Sequence, residues 1–244
     1  MSLLEVIRIS KNFGGVVALS GVDFAVERGE IVGLIGANGA GKTTLFNIIS
    51  GFYPPTAGTI KFKGEDIHRE KSHEICRKGL VRTFQVVKPF LNMTVLENVT
   101  VGKLFGGDRL SERKGAESEA RRILDFVGLS AKSEALAREL TLADHKRLEL
   151  ARSLAAHPEL LLLDEVLAGL TPTETAEAME IVKEIRRSMR VTILMVEHVV
   201  KAVIGLCDRI VVIHYGRKIA EGTPEAIAEN PVVIEAYLGK SLEA

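Results

Sequence analysis

Eight consecutive residues constrain the fold more than anything else in the chain. Gly36-Ala37-Asn38-Gly39-Ala40-Gly41-Lys42-Thr43 fits the Gly-x-x-x-x-Gly-Lys-Thr pattern of a phosphate-binding loop in full. That pattern carries meaning only between a strand and a helix, and both neighbours are present. Glu30 to Ile35 is a short apolar run that predicts a buried strand, and Thr44 to Ile49 reads as a helix stopped at Gly51. Glycines let successive backbone N–H groups turn inward as an anion nest, and a helix N-terminus adds its dipole. In such a loop Lys42 reaches the β and γ phosphates of a nucleotide, Thr43 places its hydroxyl on Mg²⁺, and Thr44 contacts the α phosphate.

A second element supports the first. Leu160-Leu161-Leu162-Leu163 predicts a buried strand, and Asp164 and Glu165 emerge at its C-terminal end. Open α/β sheets bind ligands at such ends. Behind a phosphate-binding loop, Asp164 is expected to hold the Mg²⁺ water shell and Glu165 to polarise the attacking water as general base. The rest of the chain fits an α/β sheet with parallel members. Leu3 to Ile9 and Val16 to Phe24 are β-rich runs around Gly14-Gly15. Lys103 to Lys114 reads as a glycine-containing surface loop. Glu117 to Val127 predicts an amphipathic helix facing inward through Ala120, Ile123, Leu124 and Val127. Thr173 to Met189 predicts a helix with Ala178, Val182, Ile185 and Met189 inside. Val191 to Val196, Val199 to Leu206 and Arg209 to His214 then follow as strand, helix and strand.

With these residues in hand the chain resembles the nucleotide-binding subunits of ABC transporters over essentially its whole length. The resemblance implies one ATPase domain: a mixed-sheet core over about 1–87 and 145–244, an N-terminal antiparallel β subdomain within it, and a helical subdomain over about 88–144. It implies ATP and Mg²⁺ as ligands. Thr83-Phe84-Gln85 looks like the Q-loop, placing Gln85 near Mg²⁺ and the transporter contact. Glu197-His198 looks like the switch histidine after a strand, placing His198 at the γ phosphate. Phe13 lies where the family carries the aromatic that stacks on adenine, and Ala168-Gly169-Leu170-Thr171 lies at its D-loop.

One motif departs from the family. The signature loop usually reads Leu-Ser-Gly-Gly-Gln and presents its serine and glycine amides to a neighbouring subunit's ATP. Here it reads Leu140-Thr141-Leu142-Ala143-Asp144. Thr141 keeps a hydroxyl and Ala143 keeps a backbone N–H. Asp144 brings a negative charge that repels phosphate if it points inward or serves the following helix as a cap. Val166 stands where proline is usual, and Thr171 where the D-loop ends in aspartate. These departures bear on turnover more than on nucleotide binding.

Gly51-Phe52-Tyr53-Pro54-Pro55, Val81-Arg82-Thr83-Phe84-Gln85 and the ending from Asn230 to Gly239 resemble one subfamily, the LivG-type ATPases of branched-chain, or hydrophobic, amino-acid uptake. That resemblance implies a second ATPase subunit, identical or related, two transmembrane permease subunits, and indirectly a solute-binding protein. It also implies a cytoplasmic chain lying peripherally on the inner face of the cell membrane. Lipopolysaccharide-export ATPases have a similar tail and form the alternative, with a non-transport or weakly hydrolysing ABC ATPase as a further one.

Composition agrees. Lys plus Arg and Asp plus Glu are 32 each, so no global basic excess drives nucleic-acid binding. Two cysteines, Cys76 and Cys207, do not make a disulfide framework and fit a reducing compartment. Six histidines show no zinc-ligand spacing. The most apolar stretch, Val191 to Val203, is cut by Glu197, His198 and Lys201 and is too short to span a bilayer.

Overall fold

The computed structural model describes residues 2–83, 88–106 and 113–238. The chain divides into two compact units, 1–72 with 192–244, and 73–191.

The first unit opens with β1 (Ser2–Phe13) and β2 (Val16–Glu27), a long antiparallel hairpin. Both strands run past the sequence expectation: β1 continues beyond Ile9, where Lys11, Asn12 and Phe13 pair with Leu19, Val17 and Val16, and β2 continues beyond Phe24 with Val26 buried. Next come β3 (Ile31–Ile35), α1 (Lys42–Ile49), β4 (Ala57–Phe62) and the two-residue β5 (Glu65–Asp66). Strand β4 pairs antiparallel with β1, giving a four-stranded sheet ordered β2-β1-β4-β5.

The second unit contains α2 (Ser72–Arg77, its first residue on the boundary), β6 (Leu80–Arg82), α3 (Val95–Phe105), α4 (Arg113–Phe126), α5 (Leu142–Ala155), β7 (Leu160–Asp164) and α6 (Pro172–Met189). Here the expected loop from Lys103 to Lys114 needs correction. Helix α3 continues to Phe105, Arg113 and Lys114 already belong to α4, and 107–112 lie outside the described residues. Thr94 caps α3, its hydroxyl accepting from the Glu97 N–H, while the Glu97 carboxylate accepts from the Thr94 N–H. The inward face of α4 is as expected, with Ala120, Ile123, Leu124 and Val127 buried. Helix α6 starts at the capping pair Thr171 and Glu174 with Pro172 in its first turn, and buries Ala178, Val182 and Ile185. Met189, expected inside, is 39% exposed, because the helix ends there and Arg190 turns into the left-handed region.

The chain then completes the first unit with β8 (Thr192–Val196), α7 (Val200–Leu206), β9 (Arg209–His214), β10 (Arg217–Gly222), α8 (Pro224–Ala228) and α9 (Pro231–Leu238). Strand β3 lies between β8 and β9, parallel to both, and β10 closes antiparallel on β9. Being covered on both faces, β3 and β8 are near-continuous apolar runs rather than alternating, with the Thr192 hydroxyl at the start of β8 accepting from the Gly29 N–H at 2.9 Å. Both cysteines are free thiols. Among the described residues no helix is long and apolar enough to cross a membrane.

Candidate nucleotide site

In the first unit, adjacent parallel strands deliver two of the expected groups to one sheet edge. Leu34 of β3 pairs with Val196 of β8, so the loop beginning at Gly36 and the Glu197-His198 step leave the sheet side by side. His198 is exposed, whereas Glu197 is buried. Both line an apolar cavity of about 280 Å³ with Ile35, Val203 and Ile210.

The glycines of the loop have separate reasons. A Cβ on Gly36 would stand 2.1 Å from the Ile213 carbonyl oxygen of β9, so the loop passes against strand backbone. Gly41 has φ 107°, and a Cβ there would meet the Ala18 carbonyl oxygen at 2.8 Å. Ala37, Asn38 and Gly39 form the exposed crest, and Ala40 is buried beneath it. Lys42 is 6% exposed, and its Nζ donates to the carbonyls of Gly36 at 2.6 Å and Ala37 at 3.0 Å. Thr43 and Thr44 sit beside it in the first turn of α1, where helix geometry leaves backbone N–H groups without helical acceptors. The loop therefore combines glycine-enforced close approach, one ammonium and a helix N-terminus, which together suit a polyphosphate.

Phe13 ends β1 and is 46% exposed, so it is not a core residue. Its ring meets that of Tyr53 edge-on, with centroids 5.4 Å apart.

In the second unit, all five residues of β7 are buried and β6 runs parallel beside it. Thr83, just past β6, donates its N–H to the Leu162 carbonyl at 2.9 Å, and its hydroxyl accepts from the Asp164 N–H at 3.0 Å. Asp164 accepts from Arg82 Nη2 at 2.8 Å, with both side chains nearly sealed from solvent. The sequence alone does not reveal this buried pair, since Arg82 stands there only as part of a subfamily stretch. Its signal was an arginine at the end of an otherwise apolar strand. Glu165 holds φ 51°, rare for a residue with a Cβ, and its carbonyl accepts from Lys146 Nζ at 3.1 Å. Strained backbone of this kind concentrates at functional positions. Gln85 lies outside the described residues.

The altered signature has a clear local role. Thr141 is the N-cap of α5: its hydroxyl accepts from the Asp144 N–H at 3.2 Å and donates to Asp144 Oδ2 at 2.8 Å. Asp144 is buried and also ion-paired with Lys132. Its charge is thus engaged within the unit, which resolves the two sequence alternatives in favour of a capping role. Leu142 is exposed and Ala143 half-buried, so the start of α5 still offers backbone N–H groups. Thr171, where aspartate was expected, caps α6 with its hydroxyl, a task either residue performs. Val166 is buried against a small cavity lined by Leu150, Ala178 and Val182.

Burial works to raise the Asp144 pKa, but the hydrogen bonds from Lys132 and Thr141 outweigh it and hold the carboxyl below its ordinary value. Its contribution to stability is therefore complete above the ordinary Asp value of about 3.9 and is lost as pH falls through the lower folded-state value. Asp144→Asn is expected to cost about 1 kcal/mol at neutral pH. In acid-titrated thermal melts the gap to the parent should close toward low pH, and a gap independent of pH would exclude the ionised carboxylate as its source.

The comparisons with known proteins agree with this architecture. A family model described as ABC transporter matches residues 19–168, and one described as branched-chain amino acid ATP-binding cassette transporter matches residues 217–242. The chain is 42% identical to the high-affinity branched-chain amino acid transport ATP-binding protein BraF of Pseudomonas aeruginosa, with 98% of each chain covered. It is 43% identical to LivG of Escherichia coli, again over 98% of each. A probable LivG of Archaeoglobus fulgidus is 40% identical, covering 98% of this chain and 96% of that one. Among solved structures, an ATP-binding cassette of an ABC transporter in its ADP conformation superposes with a TM-score of 0.89 at 32% identity, covering 98% of this chain and all of that one. A nucleotide-free cassette gives 0.87 at the same identity and coverage. The chain therefore belongs to the ABC transporter family, as an ATP-binding cassette with the P-loop ABC ATPase fold.

Proposed function

We propose that this ATPase powers uptake of branched-chain or other hydrophobic amino acids across a cell membrane. The observation that carries the reading is identity of 42–43% over nearly the whole of BraF and LivG. The separate family match in the C-terminal segment supports it.

In this reading the residues divide the work by chemistry. Gly36 to Gly41 wrap the phosphates with backbone N–H groups, and Lys42 neutralises the β and γ phosphates. Thr44 contacts the α phosphate, and Phe13 stacks on adenine. Glu165 accepts the proton of the attacking water, while His198 and Gln85 act at the γ phosphate end. Thr43, Asp164 and Gln85 would hold Mg²⁺, which when bound offsets phosphate charge. The hard oxygen donors of Thr43 and Asp164 suit that ion, and Asp164 already carries a cationic partner in Arg82. Thr141 and Ala143 address the nucleotide of a second ATPase subunit in a head-to-tail dimer. The core spans about 1–87 and 145–244 and the helical subdomain about 88–144.

Membrane subunits are the remaining partners, and they would hold the chain at the inner face of the cell membrane. In the second unit a groove of about 270 Å³ is lined by Val81, Phe90, Val101, Gly102 and Arg152. Phe90 and Leu91 are 46% and 51% exposed beside it, with the Arg152 guanidinium 5.2 Å from the Phe90 ring centre. Exposed apolar side chains grouped at a groove mark a partner surface. Phe90→Asp is expected to release the permease while leaving ATP binding intact. The whole reading is tested by copurifying the permease, reconstituting it in vesicles and measuring ATP-driven uptake of radiolabelled leucine. Permease-bound Phe90→Asp would move the docking surface elsewhere, and a complex with no leucine uptake would overturn the assigned solute.

A further inference from the structure

Phe13 stands at the tip of a hairpin whose neighbouring side chains, Val16 and Val17, are 67% and 59% exposed. A ring there has little packing to hold its rotamer. What it has instead is Tyr53, which comes from the turn after α1. Gly51 stops that helix at φ 69°, its N–H donating to the Ile48 carbonyl at 3.1 Å, and the Phe52 N–H donates to the Asn47 carbonyl at 2.8 Å. The turn carries Tyr53 back to α1, so that Asn47 Nδ2 donates to the Tyr53 hydroxyl at 3.0 Å. The Tyr53 ring then meets Phe13 at an interplanar angle of 89°. Lys11 adds a tie, its Nζ 5.2 Å and 5.0 Å from the two ring centres and donating to the Pro54 carbonyl at 2.7 Å.

We infer that Tyr53 is a positioning residue for the nucleotide base: it fixes Phe13 relative to α1, the helix that starts at Lys42. Phe13–Tyr53–Asn47 is a continuous chain of contacts from the hairpin tip to that helix. A simple packing role fits less well, because Phe13 is nearly half exposed and Phe52, the other ring on Tyr53, is 68% exposed. The pair covers little core and orients a ring in the open. The inference rests on the reading of Phe13 as the adenine-stacking residue. Presetting one side chain saves the ordering that binding would otherwise require, an effect of roughly threefold to tenfold in affinity.

The test measures binding of ATP and of tripolyphosphate, which has no base, to the full chain by calorimetry. Tyr53→Ala should weaken ATP binding about threefold to tenfold and leave tripolyphosphate binding unchanged. Tyr53→Phe keeps the ring and loses the Asn47 bond, so its loss should be smaller and in the same direction. In a Phe13→Ala background, Tyr53→Ala should add nothing, since the two act as a unit. Equal losses for ATP and tripolyphosphate would make Tyr53 a structural support of α1 and overturn the inference. Weakened ATP binding in Phe13→Ala with none in Tyr53→Ala overturns the inference alone. Unchanged ATP binding in Phe13→Ala removes the stacking reading and the inference with it.

Discussion

Glu165→Gln is expected to bind ATP as the parent does and to lose steady-state hydrolysis by about 10²- to 10⁴-fold. Gln matches Glu in size and cannot take a proton from water. Two bonds to the Glu165 carbonyl, from Lys146 Nζ and from the Ala168 N–H at 3.2 Å, involve no side-chain atom of Glu165 and survive the change. The left-handed φ of 51° is equally uncomfortable for both residues, so the loop geometry is retained. What remains is an ATP-bound subunit without its base, which should accumulate as a closed dimer. Lys42→Ala provides the contrast. It removes the ammonium that bridges the Gly36 and Ala37 carbonyls and that is proposed to neutralise phosphate, so ATP binding itself should weaken. Filter binding, phosphate release and sizing on the two variants separate the roles. Parent-like turnover in Glu165→Gln would remove the general-base assignment.

The parts of this molecule that were legible in advance are those in which spacing and context carry the physics together. The phosphate-binding loop needs glycines at fixed offsets between a strand and a helix, and all of that is local. The run Leu160 to Leu163 ending in two acids is local as well. Helix α3 was obscured because Gly102 and Gly106 look like breakers. Their reason is long-range: a Cβ on Gly102 would stand 2.6 Å from the Arg152 carbonyl oxygen, and one on Gly106 would stand 2.3 Å from the Ala156 Cβ. Both glycines permit close approach to α5 and its end. Sequence alone does not join Arg82 to Asp164, because the register of β6 on β7 that brings them together is a tertiary property. Asp144 held a partial signal, since Thr-x-x-Asp before a helix has the form of a reciprocal cap. Lys132, which completes its ion pair, gave none.

Arg82→Met should destabilise the chain by about 3–5 kcal/mol, because it leaves Asp164 buried without its cation. The carboxylate is 2% exposed and its partner's side chain 6%, so water is not at hand to replace the guanidinium. The Thr83 hydroxyl accepts from the Asp164 backbone N–H and donates to the Leu162 carbonyl at 3.3 Å, so it does nothing for the charge. Met fills much of the arginine stem's volume, so the cost arises from charge rather than from a cavity. For a chain of this size the melting temperature should fall by roughly 10 °C. The second variant isolates the cause. Adding Asp164→Asn removes the stranded charge, and Arg82→Met with Asp164→Asn should recover much of the loss even though another hydrogen-bonding group has been altered. That recovery would occur in stability alone, because Asp164 is assigned to Mg²⁺ and its amide should not support hydrolysis. An Arg82→Met chain melting with the parent would show that Asp164 needs no cation in the folded state. A double variant no more stable than the single one would place the cost in packing around Arg82 instead of in the pairing of its charge.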